Sequence, residues 1–202
     1  MDITLYHTPR TRSLRPRWLL EEMQLPYELR TIDLFGGEGQ TPEYRKIHPH
    51  GAVPAVEIDG EAMFESAAIC HWLSDHFAEK KLAPAFTDPL RRRYEQWMFY
   101  VPGTLEPLPF TILLHGTILP EAQRVPDIVP WATRLYRSTL KVLEQELSDK
   151  PYLLGDSFST ADIMAASTLM WLPELLHDYP SLQAYTARLQ QRDAYARACN
   201  DG

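Results

Sequence analysis

The order of strand-like and helix-like segments in residues 1–78 constrains the fold of this chain most strongly. Short runs typical of strands lie at 3–6, 27–34, 55–58 and 62–64. Segments with helical spacing or a helix-start signal lie at 12–24, 41–47 and 66–77. Asp59-Gly60 separates the last two strands and is a strong signal for a two-residue turn. The order β-α-β-α-β-β-α therefore predicts a parallel pair of strands followed by an antiparallel hairpin.

The remainder of the chain predicts only helices. Residues 79–88 lack a sustained period and are predicted to be a linker. Helices are predicted at 89–115, 122–148, 159–171 and 181–191, with a short piece at 172–178. We expect Pro102, Pro107 and Pro109 to kink or interrupt the first of them. Ser159-Thr160-Ala161-Asp162 is a variant of the capping box and predicts a well-defined helix start.

Composition excludes several classes of protein. The 202 residues include 20 Lys and Arg against 27 Asp and Glu, a formal net charge of −7. We expect no nucleic-acid partner, because binding duplex nucleic acid normally needs a basic surface. No apolar run approaches the ~20 residues of a membrane span, and residues 1–4 show no secretory signal. Two cysteines without a CxxC motif favour a reducing, cytoplasmic location. His71 and His76 lack the spacing of a helical metal pair, so no metal site is predicted.

Gly51-Ala52-Val53-Pro54-Ala55 places a proline where a strand should begin. A cis bond before Pro54 would turn the Val53 N–H and C=O outward, where an extended peptide could pair with them. An ordinary trans proline at a strand entrance is the alternative. The residues alone favour the trans form, since only ~5–6% of X–Pro bonds in folded proteins are cis.

Two further segments contain groups suited to binding or catalysis. Glu65-Ser66 precedes a predicted helix, where Ser66 is a natural N-cap and the free amides behind it favour an anion. Glu65 is suited to an ammonium group, so the pair matches the head of an α-amino acid. The segment 7–15 offers Thr8, Thr11 and Ser13 at a helix N-terminus, where hydroxyl donors and the helix dipole would stabilise a thiolate. In both segments simple helix capping with solvated charges is the alternative.

Taken together, these segments resemble the cytosolic-type glutathione transferases. The matching motifs are Leu5-Tyr6-His7-Thr8-Pro9, Trp18-Leu19-Leu20-Glu21-Glu22, His48-Pro49-His50-Gly51-Ala52-Val53-Pro54-Ala55, Phe64-Glu65-Ser66-Ala67-Ala68-Ile69 and Phe158-Ser159-Thr160-Ala161-Asp162. The resemblance implies a thioredoxin-like α/β domain at 1–78, a linker at 79–88 and an all-helical domain at 89–202. It also implies that the bond before Pro54 is cis and that Pro54 belongs to the glutathione site.

The resemblance assigns roles to individual residues. Val53 matches the position whose backbone pairs with the cysteine of glutathione. Glu65 and Ser66 match the pair that holds the γ-glutamyl amine and carboxylate. Thr11 matches the hydroxyl that activates the thiol in the serine-type classes, with Ser13 as the alternative two positions away.

The chain also departs from related members at four positions. Ala52 replaces a Lys or Gln that often contacts the glycyl carboxylate. Gly39 and Gly51 stand where some insect-type members have histidines, and Ala67 stands where those members have an arginine. These departures leave the affinity for glutathione open.

The activity implied by the resemblance is addition of the glutathione thiolate to a small hydrophobic electrophile. Arg12 stands where beta-type members have a cysteine, and no cysteine precedes Cys70, which argues against a mixed-disulfide mechanism. The alternatives are a non-catalytic binding or regulatory protein on the same fold, and a glutathione-dependent isomerase or dehalogenase. The resemblance further implies a homodimer, for which Phe35 or Tyr94 is a possible anchor. It places the electrophile pocket at Trp97, Tyr100, Phe110 and Leu113, for which ordinary core packing is the alternative.

Overall fold

The computed structural model describes residues 1–200, which form two compact units. The first unit contains Met1–Ala83 and the segment that begins at Gln190, and the second is Pro84–Leu189. The resemblance implies one helical domain at 89–202, whereas residues 190–200 belong to the first unit. Within residues 1–200 no helix is both long enough and apolar enough to span a membrane.

The first unit is built on a four-stranded mixed sheet. Its strands are β1 (Ile3–His7), β2 (Glu28–Thr31), β3 (Ala55–Ile58) and β4 (Glu61–Phe64), in the order β2-β1-β3-β4. The pair β1/β2 is parallel, and the pairs β1/β3 and β3/β4 are antiparallel. Asp59 and Gly60 have φ values of 50° and 86°, as a tight turn between two twisted strands requires. The predicted parallel pairing of the first two strands and the predicted hairpin are confirmed, although β2 is shorter than the predicted 27–34.

Three helices accompany the sheet in the first unit. They are α1 (Leu14–Met23), α2 (Ser66–His76) and a final helix, Asp193–Ala198. The helix predicted at 41–47 is only a 3-10 turn, Tyr44–Lys46. The final helix is not predicted by the sequence. It packs on α1, where Trp18 meets Tyr195 edge to face and Arg192 pairs with Glu22 at 2.6 Å.

The second unit is helical, as predicted. Its helices are α3 (Arg91–Tyr100), α4 (Pro107–Leu113), α5 (Ile128–Glu146), α6 (Thr160–Leu169) and α7 (Pro180–Gln190), and Asp193–Ala198 is therefore α8. The single helix predicted at 89–115 is interrupted by a π-helical turn, Val101–Leu105. Pro102 lies in that turn. A proline has no N–H for the regular helical bond, so it favours an interruption there. The predicted capping box is present, and the Ser159 N–H donates to the Asp162 carboxylate at 2.8 Å.

The core of the first unit contains polar side chains as well as apolar ones. Leu5 of β1, Leu19 of α1 and Ile69 of α2 are fully buried and belong to its apolar core. Arg15 and Ser13 are also fully buried, at 1% and 0% exposure. Buried charges and hydroxyls need partners, because burial without them costs several kcal/mol. The partners of these two residues define the candidate site.

Candidate functional site

The sheet register brings the three candidate segments to one end of the first unit. Tyr6 lies opposite Ala55 in the β1/β3 pair, and Ala55 lies opposite Phe64 in the β3/β4 pair. The residues just beyond these positions therefore lie side by side at the same end of the sheet. They are the loop after β1, the segment ahead of β3 and the connection from β4 to α2. Hydroxyls, an unpaired backbone segment and a helix N-terminus are thereby placed together.

The segment ahead of β3 offers its backbone to a ligand. The Val53–Pro54 peptide bond is cis, so the preference drawn from the residues alone is wrong and the expectation from the resemblance is confirmed. Within residues 1–200 neither the N–H nor the C=O of Val53 makes a backbone hydrogen bond. A hydrogen bond holds the residue before Val53 in place: the Tyr44 hydroxyl donates to the Ala52 carbonyl at 2.7 Å. The Val53 groups can therefore bind an extended peptide as a short added strand.

The β4–α2 connection places an acidic residue ahead of a helix N-terminus. Glu65 is exposed and has φ 76° and ψ 105°, a backbone conformation that non-glycine residues rarely adopt and that tends to be kept at functional sites. Glu65 is itself the N-cap residue, and Ser66 is the first residue of α2. The expected capping role of Ser66 is therefore wrong. Its hydroxyl is engaged elsewhere.

The partner of Ser66 is a buried arginine of α1. Nη1 of Arg15 donates to Ser66 Oγ at 3.0 Å. A guanidinium can only donate, so Ser66 Oγ accepts this bond and keeps its own proton for another acceptor. The first amides of α2 and the Arg15 charge both favour an anion beside Ser66. This end of the site is suited to a carboxylate next to an ammonium group held by Glu65.

The loop after β1 joins the hydroxyl groups of Thr11 and Ser13 in one network that includes the backbone of Thr8. Thr11 Oγ1 donates to the Thr8 carbonyl at 2.7 Å and lies 2.7 Å from Ser13 Oγ. Ser13 Oγ accepts from the Thr8 N–H at 3.1 Å. The Thr8 hydroxyl makes a separate bond and donates to the Ile32 carbonyl at 2.7 Å. Thr11 is half-buried whereas Ser13 is fully buried, so Thr11 is the outer member of the pair.

A histidine and a second arginine lie behind Ser13. His7 is 2% exposed, and its Nδ1 lies 2.8 Å from Ser13 Oγ. Its Nε2 lies 3.1 Å from Nη1 of Arg17, which is itself 5% exposed. Solvated arginines are one of the alternatives that the sequence leaves open, and the sequence gives His7 no role. No periodic signal was available, because the buried residues of α1 run without a break from Arg15 to Leu20.

Two histidines adjoin the β4–α2 connection. The rings of His48 and Phe64 lie 5.0 Å apart, and His48 Nδ1 accepts from the His50 N–H at 3.3 Å. Burial lowers the pKa of His48, and the neighbouring His50 adds to this effect. The lowered pKa favours the neutral form of His48.

The four residues predicted to hold an electrophile lie in the second unit. Trp97 and Tyr100 belong to α3, and their rings meet edge to face at 5.1 Å. Phe110 and Leu113 belong to α4. Trp97 is 2% exposed, whereas the other three are partly exposed.

Within residues 1–200, no group of three or more His, Cys, Asp or Glu side chains is placed to hold a metal ion.

Sequence models of known families match both parts of the chain. The glutathione S-transferase N-terminal domain matches residues 11–76, and the glutathione S-transferase C-terminal domain matches residues 123–188. The first match contains Thr11, Val53 and Ser66. The observed mixed sheet with its helices and the helical second unit are the thioredoxin-like and all-helical parts of that fold.

Individual proteins of the same family are similar over most of the chain. A probable maleylacetoacetate isomerase 2 of Drosophila melanogaster is 31% identical over 153 residues, which cover 74% of this chain and 65% of that protein. The ternary complex of BphK, a bacterial glutathione S-transferase, matches with a TM-score of 0.86 and 29% identity over 97% of both chains. A glutathione transferase of Burkholderia graminis, with two glutathione molecules bound per subunit, matches with a TM-score of 0.88 and 26% identity. That match covers 99% of this chain and 88% of the other. With both domain models matched, this chain belongs to the cytosolic-type glutathione S-transferase superfamily.

Proposed function

We propose that this protein is a glutathione transferase that joins the glutathione thiolate to small hydrophobic electrophiles. The observation that carries the proposal is the sheet register described above. It gathers an outer hydroxyl (Thr11), an unpaired backbone segment (Val53) and an anion-binding helix start (Ser66) at one end of the first unit. Glutathione needs these three features in that combination, because it carries a thiol, a peptide backbone and an amino-acid head.

The γ-glutamyl head binds at the start of α2. Glu65 holds the ammonium group, while the Ser66 hydroxyl and the first amides of α2 hold the carboxylate. Arg15 supports this arrangement, because its donated bond leaves the Ser66 proton for the ligand. The cysteinyl part of glutathione pairs with the Val53 backbone beside Pro54.

The thiol end is served by Thr11. Its hydroxyl donates to the sulfur, which stabilises the thiolate over the thiol and lowers the thiol pKa. The thiol proton leaves to water, and the thiolate sulfur forms a bond to an electrophilic carbon. In a substitution the leaving group departs with the electron pair, and in an addition the neighbouring atom takes a proton from water. Ser13 is the alternative donor, but its complete burial favours Thr11.

For the electrophile we propose the apolar group Trp97, Tyr100, Phe110 and Leu113 of the second unit. Tyr100, Phe110 and Leu113 are partly exposed and supply apolar surface. Trp97 is buried and supports Tyr100 through its edge-to-face contact. Replacing Phe110 with Ala is expected to raise KM for a hydrophobic electrophile and to leave the affinity for glutathione unchanged.

The test has two stages. Calorimetry with glutathione is expected to show binding to the wild-type protein, and a panel of electrophiles is expected to show consumption of glutathione. Binding without turnover would favour the non-catalytic alternative. The similarity to a probable maleylacetoacetate isomerase supports a second candidate, a glutathione-dependent isomerase. In that case the substrate changes while the glutathione concentration stays constant.

We also propose that the protein is a cytoplasmic homodimer. Phe35 is 94% exposed, a large apolar side chain available to a second copy. Tyr94 is fully buried within its own chain, so it is not available to a second copy. Light scattering at micromolar concentration is expected to give twice the chain mass. Phe35→Ser is expected to shift the mass towards the monomer, whereas a monomeric wild-type protein would remove the proposal.

A further inference from the structure

We propose that His7 and Ser13 are positioning residues that set how strongly the Thr11 hydroxyl donates to the glutathione sulfur. Arg17 holds the far end of this chain of hydrogen bonds. The proposal rests on the proposed role of Thr11 and adds what lies behind it. None of the three supporting residues touches the sulfur.

The direction of the chain is set at Arg17. Its Nη1 lies 3.1 Å from His7 Nε2, and a guanidinium nitrogen can only donate. His7 Nε2 is therefore the acceptor, and the imidazole carries its proton on Nδ1. Arg17 is itself held in place, since its Nη2 donates to the Asn200 carbonyl at 2.5 Å.

The next step is at Ser13. The His7 Nδ1–H donates to Ser13 Oγ at 2.8 Å, and the Thr8 N–H donates to the same oxygen at 3.1 Å. A hydroxyl has two acceptor positions, so both are filled. Ser13 must then act as a donor towards its remaining neighbours. Thr11 Oγ1 at 2.7 Å is the nearer acceptor, and the Thr8 carbonyl lies at 3.1 Å.

The chain of hydrogen bonds ends at Thr11. Its Oγ1 accepts from the Ser13 hydroxyl and, at 3.3 Å, from the Ser13 N–H. The Thr11 hydroxyl itself donates to the Thr8 carbonyl, with the two oxygens 2.7 Å apart. A thiolate is an anionic acceptor and attracts this proton more strongly than a neutral carbonyl does. The hydroxyl can therefore turn to the sulfur while every bond behind it stays in place.

Burial makes the chain effective. His7, Ser13 and Arg17 are 2%, 0% and 5% exposed, so water does not compete with these bonds. Hydrogen bonds in a low-dielectric interior polarise one another, and each accepted bond makes the next hydroxyl a better donor. The positive charge of Arg17 polarises the Ser13 and Thr11 hydroxyls in the direction that favours the negative charge of the thiolate beside Thr11.

The test compares two replacements of His7. Asn at this position keeps an N–H near the place of Nδ1, whereas Leu removes it. The measurement is a spectroscopic titration of the thiol of bound glutathione, together with the pH profile of kcat. His7→Leu is expected to raise the pKa of the bound thiol by about 0.5–1 unit, since one bond of the chain is lost. Turnover near neutral pH then falls about three- to tenfold, since one pKa unit is a tenfold change in the thiolate equilibrium. His7→Asn is expected to raise the thiol pKa less than His7→Leu does, because it keeps the N–H towards Ser13 although it loses the acceptor for Arg17.

A double variant separates the proposed chain from simple bracing. Ser13→Ala removes the donor to Thr11 and is expected to raise the thiol pKa by as much as His7→Leu. Because both act through one chain, the His7→Leu/Ser13→Ala variant is expected to match Ser13→Ala alone, and additive shifts overturn the proposal. Equal shifts in His7→Asn and His7→Leu, or no shift in His7→Leu, also overturn it. If His7→Leu does not fold, Ser13→Ala carries the test, and an unchanged thiol pKa there overturns the proposal.

Thr11→Val distinguishes this proposal from the proposed function. If Thr11→Val raises the thiol pKa while His7→Leu and Ser13→Ala do not, only the supporting chain is wrong. If Thr11→Val leaves the thiol pKa unchanged, both the role of Thr11 and the chain behind it are wrong.

Discussion

The two ends of the candidate glutathione site are supported by two arginines of the same helix. At the γ-glutamyl end, Arg15 donates directly to Ser66. At the thiol end, Arg17 is separated from Thr11 by His7 and Ser13. In both cases a group that can only donate fixes the direction of a hydroxyl. The two ends differ in how far the arginine lies from the hydroxyl: Arg15 bonds directly to Ser66, proposed to bind glutathione, whereas Arg17 lies three hydrogen bonds from Thr11, proposed to activate the thiol.

The geometry of α1 explains why the two arginines serve different ends. Residues two apart on an α-helix point about 200° away from each other. Arg15 and Arg17 therefore leave α1 on opposite sides, and Arg15 reaches α2 while Arg17 reaches β1. In the proposed function, a single helical turn therefore supports binding and reactivity separately. The comparison predicts that variants at one end change affinity and that variants at the other change turnover.

The largest expected effect is at the thiol end. Thr11→Val keeps the shape of the side chain and removes the donor. One hydrogen bond to a charged group contributes about 1.5–3 kcal/mol, so turnover near neutral pH should fall about ten- to a hundredfold. The affinity for glutathione should change little. Steady-state kinetics with calorimetry on the same preparation checks both, and a large loss of affinity would break the comparison.

The matching variant at the other end is Ser66→Ala. It removes one partner of the γ-glutamyl carboxylate, and the affinity for glutathione should fall by roughly 1–3 kcal/mol. At saturating glutathione kcat should remain near the wild-type value, because the thiol end is intact. Calorimetry and saturation kinetics measure the two quantities. Unchanged affinity would remove Ser66 from the site.

A smaller effect is expected when Arg15 is replaced. Arg15→Met removes the charge beneath Ser66 but leaves the hydroxyl and the helix amides, so the affinity for glutathione should fall about three- to tenfold. Arg15→Lys is the matched control, since it retains a buried donor and a positive charge. The loss with Met should exceed the loss with Lys. A rise in the pKa of the bound glutathione thiol in either variant would show that the γ-glutamyl end and the thiol end are not independent.

No effect on reactivity is expected from the protein's own thiols. Cys70 is fully buried, and burial raises its pKa to about 12. Cys199 is exposed. Alkylation of the native protein at mildly alkaline pH should therefore label Cys199 and leave Cys70 unmodified, as mass spectrometry of the digested chain can establish. Labelling of Cys70 in the folded protein would place a reactive thiol close to Ser66 and undermine the assignment of both ends to hydroxyls.

The sequence predicts those parts of the fold that depend on local chemistry. Asp59-Gly60 forms the predicted turn, Pro102 marks an interruption of the helix, and Asp162 closes the predicted capping box. The segments nominated for glutathione, around Thr11, Val53 and Ser66, are each recognised from a short motif and lie at one end of the sheet. These features follow from short-range patterns that a single chain displays.

The features that the sequence does not predict depend on contacts between distant residues. Arg15 is 51 positions from Ser66, and no local pattern indicates that a charged residue between apolar ones is buried. The N-cap of α2 is Glu65 rather than the predicted Ser66, and Glu65 adopts a positive φ that its residue type does not indicate. Helix α8 is short and takes its position from contacts with Trp18 and Glu22 on α1.

The central claim is that the first unit binds glutathione and stabilises its thiolate through Thr11. The most direct test is to titrate the thiol of glutathione free in solution, bound to the wild-type protein, and bound to Thr11→Val. The account predicts a lower pKa for the thiol bound to the wild-type protein than for free glutathione. It also predicts that Thr11→Val returns the pKa most of the way to the free value. A bound thiol that titrates like free glutathione, or a depressed pKa that survives in Thr11→Val, would contradict the account.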